Sequence, residues 1–236
     1  MTRSSNNPWL HRFAVVTAVA TLFLICVGGL VTSKGVGMAV PDWPTTYGYN
    51  PFTFPFSKWV GGVFYEHSHR LVASAVGLLT TILAVWVWLK EERRWLRWLG
   101  VAAFLAVSAQ GVLGGLRVTQ LKDELGIFHA ALAQLFFVLV CGIALFTSKW
   151  WRSAASPIRL KAELRTVYVA TVLIFVQLVI GATMRHQHAG LAIPDFPMAY
   201  GKVWPAMDDG AIARYNQIRL ENTAAHPITA SGVALQ

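Results

Sequence analysis

The chain has 236 residues, of which 55% are hydrophobic and only 13% are charged, and its mean hydropathy is +0.50. Soluble domains carry about 25% charged residues, so the composition excludes a soluble protein and predicts an all-α, polytopic membrane helix bundle. The formal net charge of +9 does not indicate a nucleic-acid partner, because the basic residues lie beside the ends of apolar segments.

Five apolar segments are long enough to cross a bilayer, which needs about 20 residues. They are residues 13–32, 69–89, 98–116, 125–146 and 167–184. The first segment has no cleavage pattern of a signal peptide and is interpreted as a retained helix. A sixth segment is expected to begin near Ile228, but the chain ends at Gln236 after too few residues to span.

Basic residues predict the orientation of these segments. They crowd residues 90–97 and 149–165, whereas the connection after the first segment holds only Lys34 and Lys58. The N-terminus is therefore expected in the cytoplasm, and the connections after the first and fifth segments are expected outside it. The protein is expected in the inner (plasma) membrane of the cell.

One twelve-residue pattern occurs twice, each time after a long apolar segment. Residues Gly37–Gly48 (GMAVPDWPTTYG) recur 153 positions later as Gly190–Gly201 (GLAIPDFPMAYG). Such a repeat predicts two related halves of a membrane protein. The expected divisions are a four-helix half at 1–148, a cytoplasmic linker at 149–165 and an incomplete second repeat at 166–236. The aspartate of each copy is expected to cap or bridge its loop.

The sharpest local motif is Tyr65–Arg70 (YEHSHR), where the first external loop meets the second segment. Glu66 and His69 are three residues apart and share a helix face. Ionisable groups at this position are costly unless they face a cavity or a partner, so both are candidate functional residues. A simple interfacial cap is the alternative. His67 points away from their face and is interpreted as an interfacial polar group.

His129 lies in the otherwise apolar fourth segment, at a depth similar to that of His69. Two imidazoles at matched depth on neighbouring helices can ligate a haem iron. Cys26 and Cys141 fall inside predicted helices, which argues against a structural disulfide or a thiolate metal site. From the residues alone, a ligand pair and two satisfied polar side chains stay equally open.

Three arginines near the external helix ends are candidates for pairing with a carboxylate, or for snorkelling to lipid head groups. They are Arg70, Arg117 and Arg185. The glycine-rich segment Gly111–Gly115 favours close helix packing, with close approach of a flat macrocycle as the alternative. Three further histidines have no counterpart in a shared motif and are not expected to be ligands. They are His186, His188 and His226.

Together these motifs resemble haem A synthase. They are the Asp-Trp-Pro loop after the first helix, Glu66-x-x-His69-Arg70 opening the second helix, a glycine-rich end of the third helix and His129 early in the fourth. The resemblance covers nearly the whole chain. It implies an enzyme of eight helices in two halves, which oxidises a methyl group of haem O to the formyl group of haem A and so supports cytochrome oxidase assembly.

The resemblance also implies roles for individual residues. His69 and His129 would ligate the haem iron in the half that receives haem O, Glu66 would be catalytic, and Arg70 and Arg117 would contact the cofactor. In the full-length enzyme, haem b would bind to histidines of helices six and eight, which this chain lacks. At the repeat offset, Glu66 and His69 become Arg219 and Asn222. A C-terminally truncated chain that is inactive on its own is therefore expected.

The partners implied by the resemblance are haem O as the substrate and the lipid bilayer as the environment. The candidate protein partners are the haem O synthase (a farnesyltransferase), an electron donor and a second copy of the chain. The alternative is a non-catalytic bis-histidine membrane cytochrome or haem carrier, which would not need Glu66 beside the ligand. A transporter is disfavoured, because no interrupted helix with central polar residues is visible.

Overall fold

The computed structural model describes residues 7–153, 161–186, 193, 195, 197–222 and 229. Over these residues the chain forms seven α-helices and two isolated β-bridges. The helices are α1 (Pro8–Ser33), α2 (Gly61–Lys90), α3 (Arg94–Gln120), α4 (Asp123–Thr147), α5 (Lys149–Ser153), α6 (Lys161–His186) and α7 (Asp209–Asn222). Helices α1, α2, α3, α4 and α6 are long and apolar enough to cross a membrane. This confirms the predicted all-α membrane architecture.

The contacts divide the chain into two units, residues 1–158 and 159–236. In the first unit, α1 and α3 each pack against both α2 and α4. The connections between α2, α3 and α4 are only two or three residues long, so consecutive helices run antiparallel. The four helices therefore form a closed ring. We call the end at which α1 and α3 finish and α2 and α4 begin the loop side.

The second helix begins eight residues earlier than hydropathy predicts, at Gly61 rather than His69. The difference has a physical cause. The second and third turns of α2 contain the polar residues 66–70, of which Glu66, His67 and Arg70 are paired with one another or with the preceding loop. Glu66 is only 4% exposed and is bonded to Arg70. A hydropathy window records the polarity of such residues but not their pairing.

The packed apolar core of the first unit lies in the half of the bundle away from the loop side. Its buried side chains come from the start of α1, the end of α2, the start of α3 and the end of α4. They are Leu10, Ala14, Ala18, Val76, Leu83, Val87, Leu96, Ala103, Phe136, Val140, Ile143 and Ala144. The loop-side half of the bundle instead holds the candidate histidines and several glycines.

A buried carboxylate closes the end of the bundle opposite the loop side. Glu91 is 2% exposed and accepts two 2.9 Å hydrogen bonds from the guanidinium of Arg93 and one of 3.0 Å from Arg152. Arg93 also donates to the carbonyl of Phe146 at 2.9 Å. Burial acts to raise the pKa of Glu91, but the hydrogen bonds and positive charges of the two arginines outweigh it, so the pKa is lowered. This cluster joins the ends of α2, α4 and α5.

The second unit contains α6, the second copy of the repeated loop and α7. Tyr200 of the loop stacks on Tyr215 of α7, with ring centroids 3.6 Å apart. Helix α7 was not predicted from the sequence, and Arg219 and Asn222 lie on it. The sixth segment expected near Ile228 lies outside the described residues, apart from Thr229. The division into two related halves stays a prediction.

Candidate functional site

The described residues of the repeated motif form the same turn in both units. The carboxylate of Asp42 accepts hydrogen bonds from the backbone N–H groups of Tyr47 (2.7 Å) and Gly48 (2.8 Å) and from the hydroxyl of Thr45. Asp195 likewise accepts from the residues at the same offsets, which are Tyr200 and Gly201, both at 2.7 Å. Both tyrosines have a positive φ, 49° and 53°, which is uncommon for residues other than glycine. The aspartate therefore organises each loop, as the sequence predicts.

Hydrogen bonding to these aspartates also sets their ionisation. Burial is the largest influence on Asp42 and acts to raise its pKa. The hydrogen bonds from Gly48, Thr45 and Tyr47 together outweigh it, so the pKa of Asp42 lies below its usual range. The hydrogen bond from Gly201 is the main reason that the pKa of Asp195 is lowered as well. Both loops are therefore held by an ionised carboxylate.

The first loop is bonded to α2 through Glu66 and Arg70. Glu66 accepts from the backbone N–H of Val40 at 2.8 Å with one oxygen and from Arg70 at 2.7 Å with the other. Arg70 also donates to three loop carbonyls, those of Val40 (2.9 Å), Asp42 (2.7 Å) and Thr45 (3.0 Å). Each terminal nitrogen of Arg70 thus donates two hydrogen bonds. The two residues join the loop to the helix as one hydrogen-bonded unit.

The same loop is packed against α3 through glycines. A Cβ atom placed on Gly115 would lie 2.3 Å from the indole of Trp43, so the ring lies flat against the backbone of α3. The Cβ position of Gly37 lies 3.1 Å from the guanidinium of Arg117. The sequence favours close helix packing at 111–115, but the close neighbour of Gly115 is the loop. Apart from the neighbouring backbone of α3, no described atom lies within 4 Å of the Cβ position of Gly111.

His69 lies eight residues into α2, about 12 Å along the helix from its start. Its ring faces Gly28 of α1, where a Cβ atom would lie 2.9 Å from Cε1 of the imidazole. Nδ1 of His69 is buried, and no described residue forms a hydrogen bond with it. Leaving a buried polar atom unpaired costs about 1–3 kcal/mol. Arg70 and Arg117 both lie close enough to act electrostatically on this ring.

His129 lies six residues into α4, about 9 Å along the helix from its start. Its ring faces Gly114 of α3, where a Cβ atom would lie 3.4 Å from Cε1. Gln110 of α3 donates a 2.9 Å hydrogen bond to the backbone carbonyl of His129. The two histidines therefore stand at similar depth on opposite helices of the ring, each beside a glycine. Their joint ligation of one iron stays a prediction.

His67 is buried, not interfacial as the sequence suggested. It is fully enclosed, its Nδ1 lies 3.2 Å from the hydroxyl of Thr46, and its ring packs against Phe54 and Trp59 at centroid distances of 4.9 and 4.6 Å. The first loop folds back over the start of α2 and covers it. The aromatic residues of the loop were the only signal in the sequence for this arrangement.

Three other histidines and two cysteines were also considered in the sequence. His186 ends α6 in the second unit and is 7% exposed. His188 and His226 lie outside the described residues. Cys26 on α1 and Cys141 on α4 are both free thiols.

Comparison with known proteins gives a family match over nearly the whole chain. A family model described as "Cytochrome oxidase assembly protein" matches residues 11–235. No solved structure matches at a significant level.

Curated relatives named "Heme A synthase" are similar over most of the chain. The protein from Shouchella clausii is 31% identical over 209 residues, which cover 86% of this chain and 68% of that protein. The protein from Geobacillus kaustophilus is 29% identical over 204 residues (80% and 60%), and that from Alkalihalophilus pseudofirmus is 28% identical over 212 residues (87% and 69%). The matched region thus spans 60 to 69% of the length of these relatives. The chain belongs to the cytochrome oxidase assembly protein family.

Proposed function

We propose that this chain acts in haem A biosynthesis, as the part of a haem A synthase that receives haem O, one methyl group of which is oxidised to a formyl group. The observation that carries the proposal is the buried Nδ1 of His69, which has no hydrogen-bond partner among the described residues and lies in the half of the bundle away from the main apolar cluster. Imidazole is a common axial ligand of haem iron. The family match and the names of the relatives give the chemical context.

The residues present fit a haem held between two imidazoles. His69 and His129 lie on opposite helices, and the other two helices contribute Gly28 and Gly114 beside them. Glycines at these positions leave the rings free to adopt the orientation that ligation needs. When bound, the iron and porphyrin supply the redox chemistry, while the protein supplies position and access. For the full-length enzyme, we also propose a haem b in a second site.

Glu66 is proposed to transfer protons during oxidation of the methyl group of haem O. Its two oxygens are each engaged by a donor, the N–H of Val40 and the guanidinium of Arg70. The N–H of Val40 keeps the carboxylate in place through one oxygen, so the other oxygen can accept a proton when Arg70 releases it. Because both terminal nitrogens of Arg70 donate to the loop, we assign Arg70 the role of positioning Glu66 and the loop. Contact with a carboxylate of the haem is assigned to Arg117.

Two histidine variants test the haem site. Purified protein titrated with haem should bind at most one haem per chain in its first unit and give the spectrum of low-spin, bis-histidine iron. His69→Ala and His129→Ala should each abolish that spectrum. His186→Ala is the matched control, since this histidine is also buried but belongs to the second unit. Haem binding that survives both site variants would refute the assignment.

Disrupting the gene in its own organism tests the reaction. The membranes should lose haem A and accumulate haem O, which chromatography of the extracted haems detects. Unchanged haem A would refute the enzymatic role. In that case the second candidate function, a bis-histidine cytochrome or haem carrier, would be favoured.

One observation supports this second candidate. Glu66 and Arg70 form a complete hydrogen-bonded unit with the loop, so a purely structural role would also account for both residues.

A further inference from the structure

The first loop carries an exposed apolar surface formed by Phe52, Phe56, Val60 and Phe64, which we call the aromatic surface. These side chains are 72%, 78%, 66% and 45% exposed. Phe54, between the first two, points the other way and is 6% exposed. Exposed apolar residues grouped in this way mark a surface that meets lipid or another molecule.

The underside of this segment is fixed to the bundle. The ring of Phe54 packs against Tyr47, Tyr49 and His67 at centroid distances of 6.3, 5.7 and 4.9 Å. The prolines at 51 and 55 restrict the backbone on either side of Phe54. The aromatic surface is therefore held in one orientation, facing away from the bundle.

A chain of ring contacts connects the aromatic surface to the membrane-crossing part of α2. Phe56 lies 5.1 Å from Trp59, and Trp59 lies 6.4 Å from Phe64 in the first turn of α2. Phe64, Leu71 and Leu78 follow at intervals of seven residues, close to two helical turns, so they share one face. Leu78 is 63% exposed in the apolar stretch of α2. The aromatic surface thus continues the face that α2 presents to lipid.

The backbone of the segment suits a position among lipid head groups. The N–H groups of Thr53, Lys58 and Trp59 donate to carbonyls of the loop itself, and that of Phe52 donates to the side chain of Asn50. These donors need no water, which lowers the cost of leaving it. The ammonium of Lys58 lies 3.0 Å from the hydroxyl of Tyr49 and 4.5 Å from its ring centroid, and can reach a lipid phosphate from there.

We infer that the aromatic surface inserts into the lipid interface of the leaflet next to this loop. Its occupant is phospholipid, because the surface is continuous with the lipid-facing side of α2 and has a cation at its edge. Phenylalanine side chains are typical of the apolar face of interfacial segments, which leaves water while the polar face stays at the head groups. The loop that carries Asp42 and Trp43 is then attached to the bundle on one side and to the membrane on the other.

Photo-crosslinking from single positions tests this inference. Benzoylphenylalanine is introduced at Phe52 or Phe56 in the full chain, which is then reconstituted into vesicles of phosphatidylethanolamine and phosphatidylglycerol. Ser57, also exposed, is the matched control. Because an interfacial segment buries its apolar side about 5–10 Å into the bilayer boundary, phospholipid adducts should be roughly fivefold more abundant from 52 and 56 than from 57.

Mass spectrometry of the irradiated protein separates the outcomes. Phospholipid adducts that are concentrated at 52 and 56 support the inference. Adducts to a second copy of the chain, equal labelling at all three positions, or the absence of lipid adducts would each overturn it. At 52 or 56, benzoylphenylalanine replaces one exposed aromatic side chain with another, so the substitution should not disturb folding of the bundle.

Discussion

The contact between Gly28 and His69 gives a sharp test of how the candidate haem ligand is positioned. In Gly28→Ala, the new Cβ would lie 2.9 Å from Cε1 of the imidazole. Ordinary van der Waals contact needs about 3.5–4.0 Å, so the ring must retreat by roughly 0.6–1 Å. Functional sites tolerate displacements of only about 0.5 Å. We therefore expect haem affinity to fall about tenfold, which corresponds to about 1.4 kcal/mol.

Gly29→Ala provides a closely matched control. Gly29 is the next residue on the same helix, and apart from the neighbouring backbone of α1 no described atom lies within 4 Å of its Cβ position. Replacing a helical glycine with alanine favours the helix by about 0.5–1 kcal/mol in either variant, so loss of affinity in Gly28→Ala alone could not come from a weaker helix.

Affinity is measured by titrating haem into each purified variant, and the ring orientation is followed by electron paramagnetic resonance of the low-spin iron. Gly28→Ala should change both the affinity and the spectrum, whereas Gly29→Ala should leave both as in the wild type. Equal affinities for the two variants would refute the reasoning that Gly28 makes room for the ligating ring.

Three further predictions concern the loop and its carboxylates. Glu66→Gln should keep haem affinity within about threefold but reduce haem A formation by at least about tenfold, because it keeps the shape of the side chain and removes the carboxylate that would accept the proton. Undiminished product would leave Glu66 with a structural role only. Gly115→Ala should displace Trp43 and increase proteolytic cleavage of the loop, while Gly111→Ala, with an open Cβ position, should not. Because the pKa of Asp42 is lowered in the folded loop, its stabilising effect is complete above the usual aspartate pKa and is lost as the pH falls through the lower, folded value. Loop cleavage by an acid protease, measured relative to Asp42→Asn, should therefore rise below about pH 4, and a pH-independent ratio would contradict this.

The features that follow local rules could be predicted from the sequence. The length of the apolar segments was enough to predict the five long helices. The repeated motif was enough to predict that Asp42 and Asp195 each organise their own loop. Both features depend on residues that are close together in the chain. The start of α2 was missed because hydropathy cannot show that Glu66 is paired with Arg70. Helix α7 was missed because its 14 residues carry no apolar stretch.

Contacts between distant segments could not be predicted. The sequence favoured close helix packing at Gly114 and Gly115, but their close neighbours are the ring of His129 and the indole of Trp43. His67 was assigned to the interface because nothing local indicates that Phe54 and Trp59 cover it. Each of these contacts depends on how the first loop and the four helices are arranged in space, which spacing along one helix does not determine.

The cluster around Glu91 sets an order of events during synthesis of the chain. Arg93 emerges almost together with Glu91, but Arg152 follows 61 residues later. At a synthesis rate of about 5–20 residues per second, Glu91 is made about 3–12 s before Arg152. During that interval α3 and α4 must enter the membrane before Arg152 is present to pair with Glu91 at that end of the bundle. Completion of α5 then fixes that end before α6 has been made, so the first unit can mature while the ribosome is still translating the second.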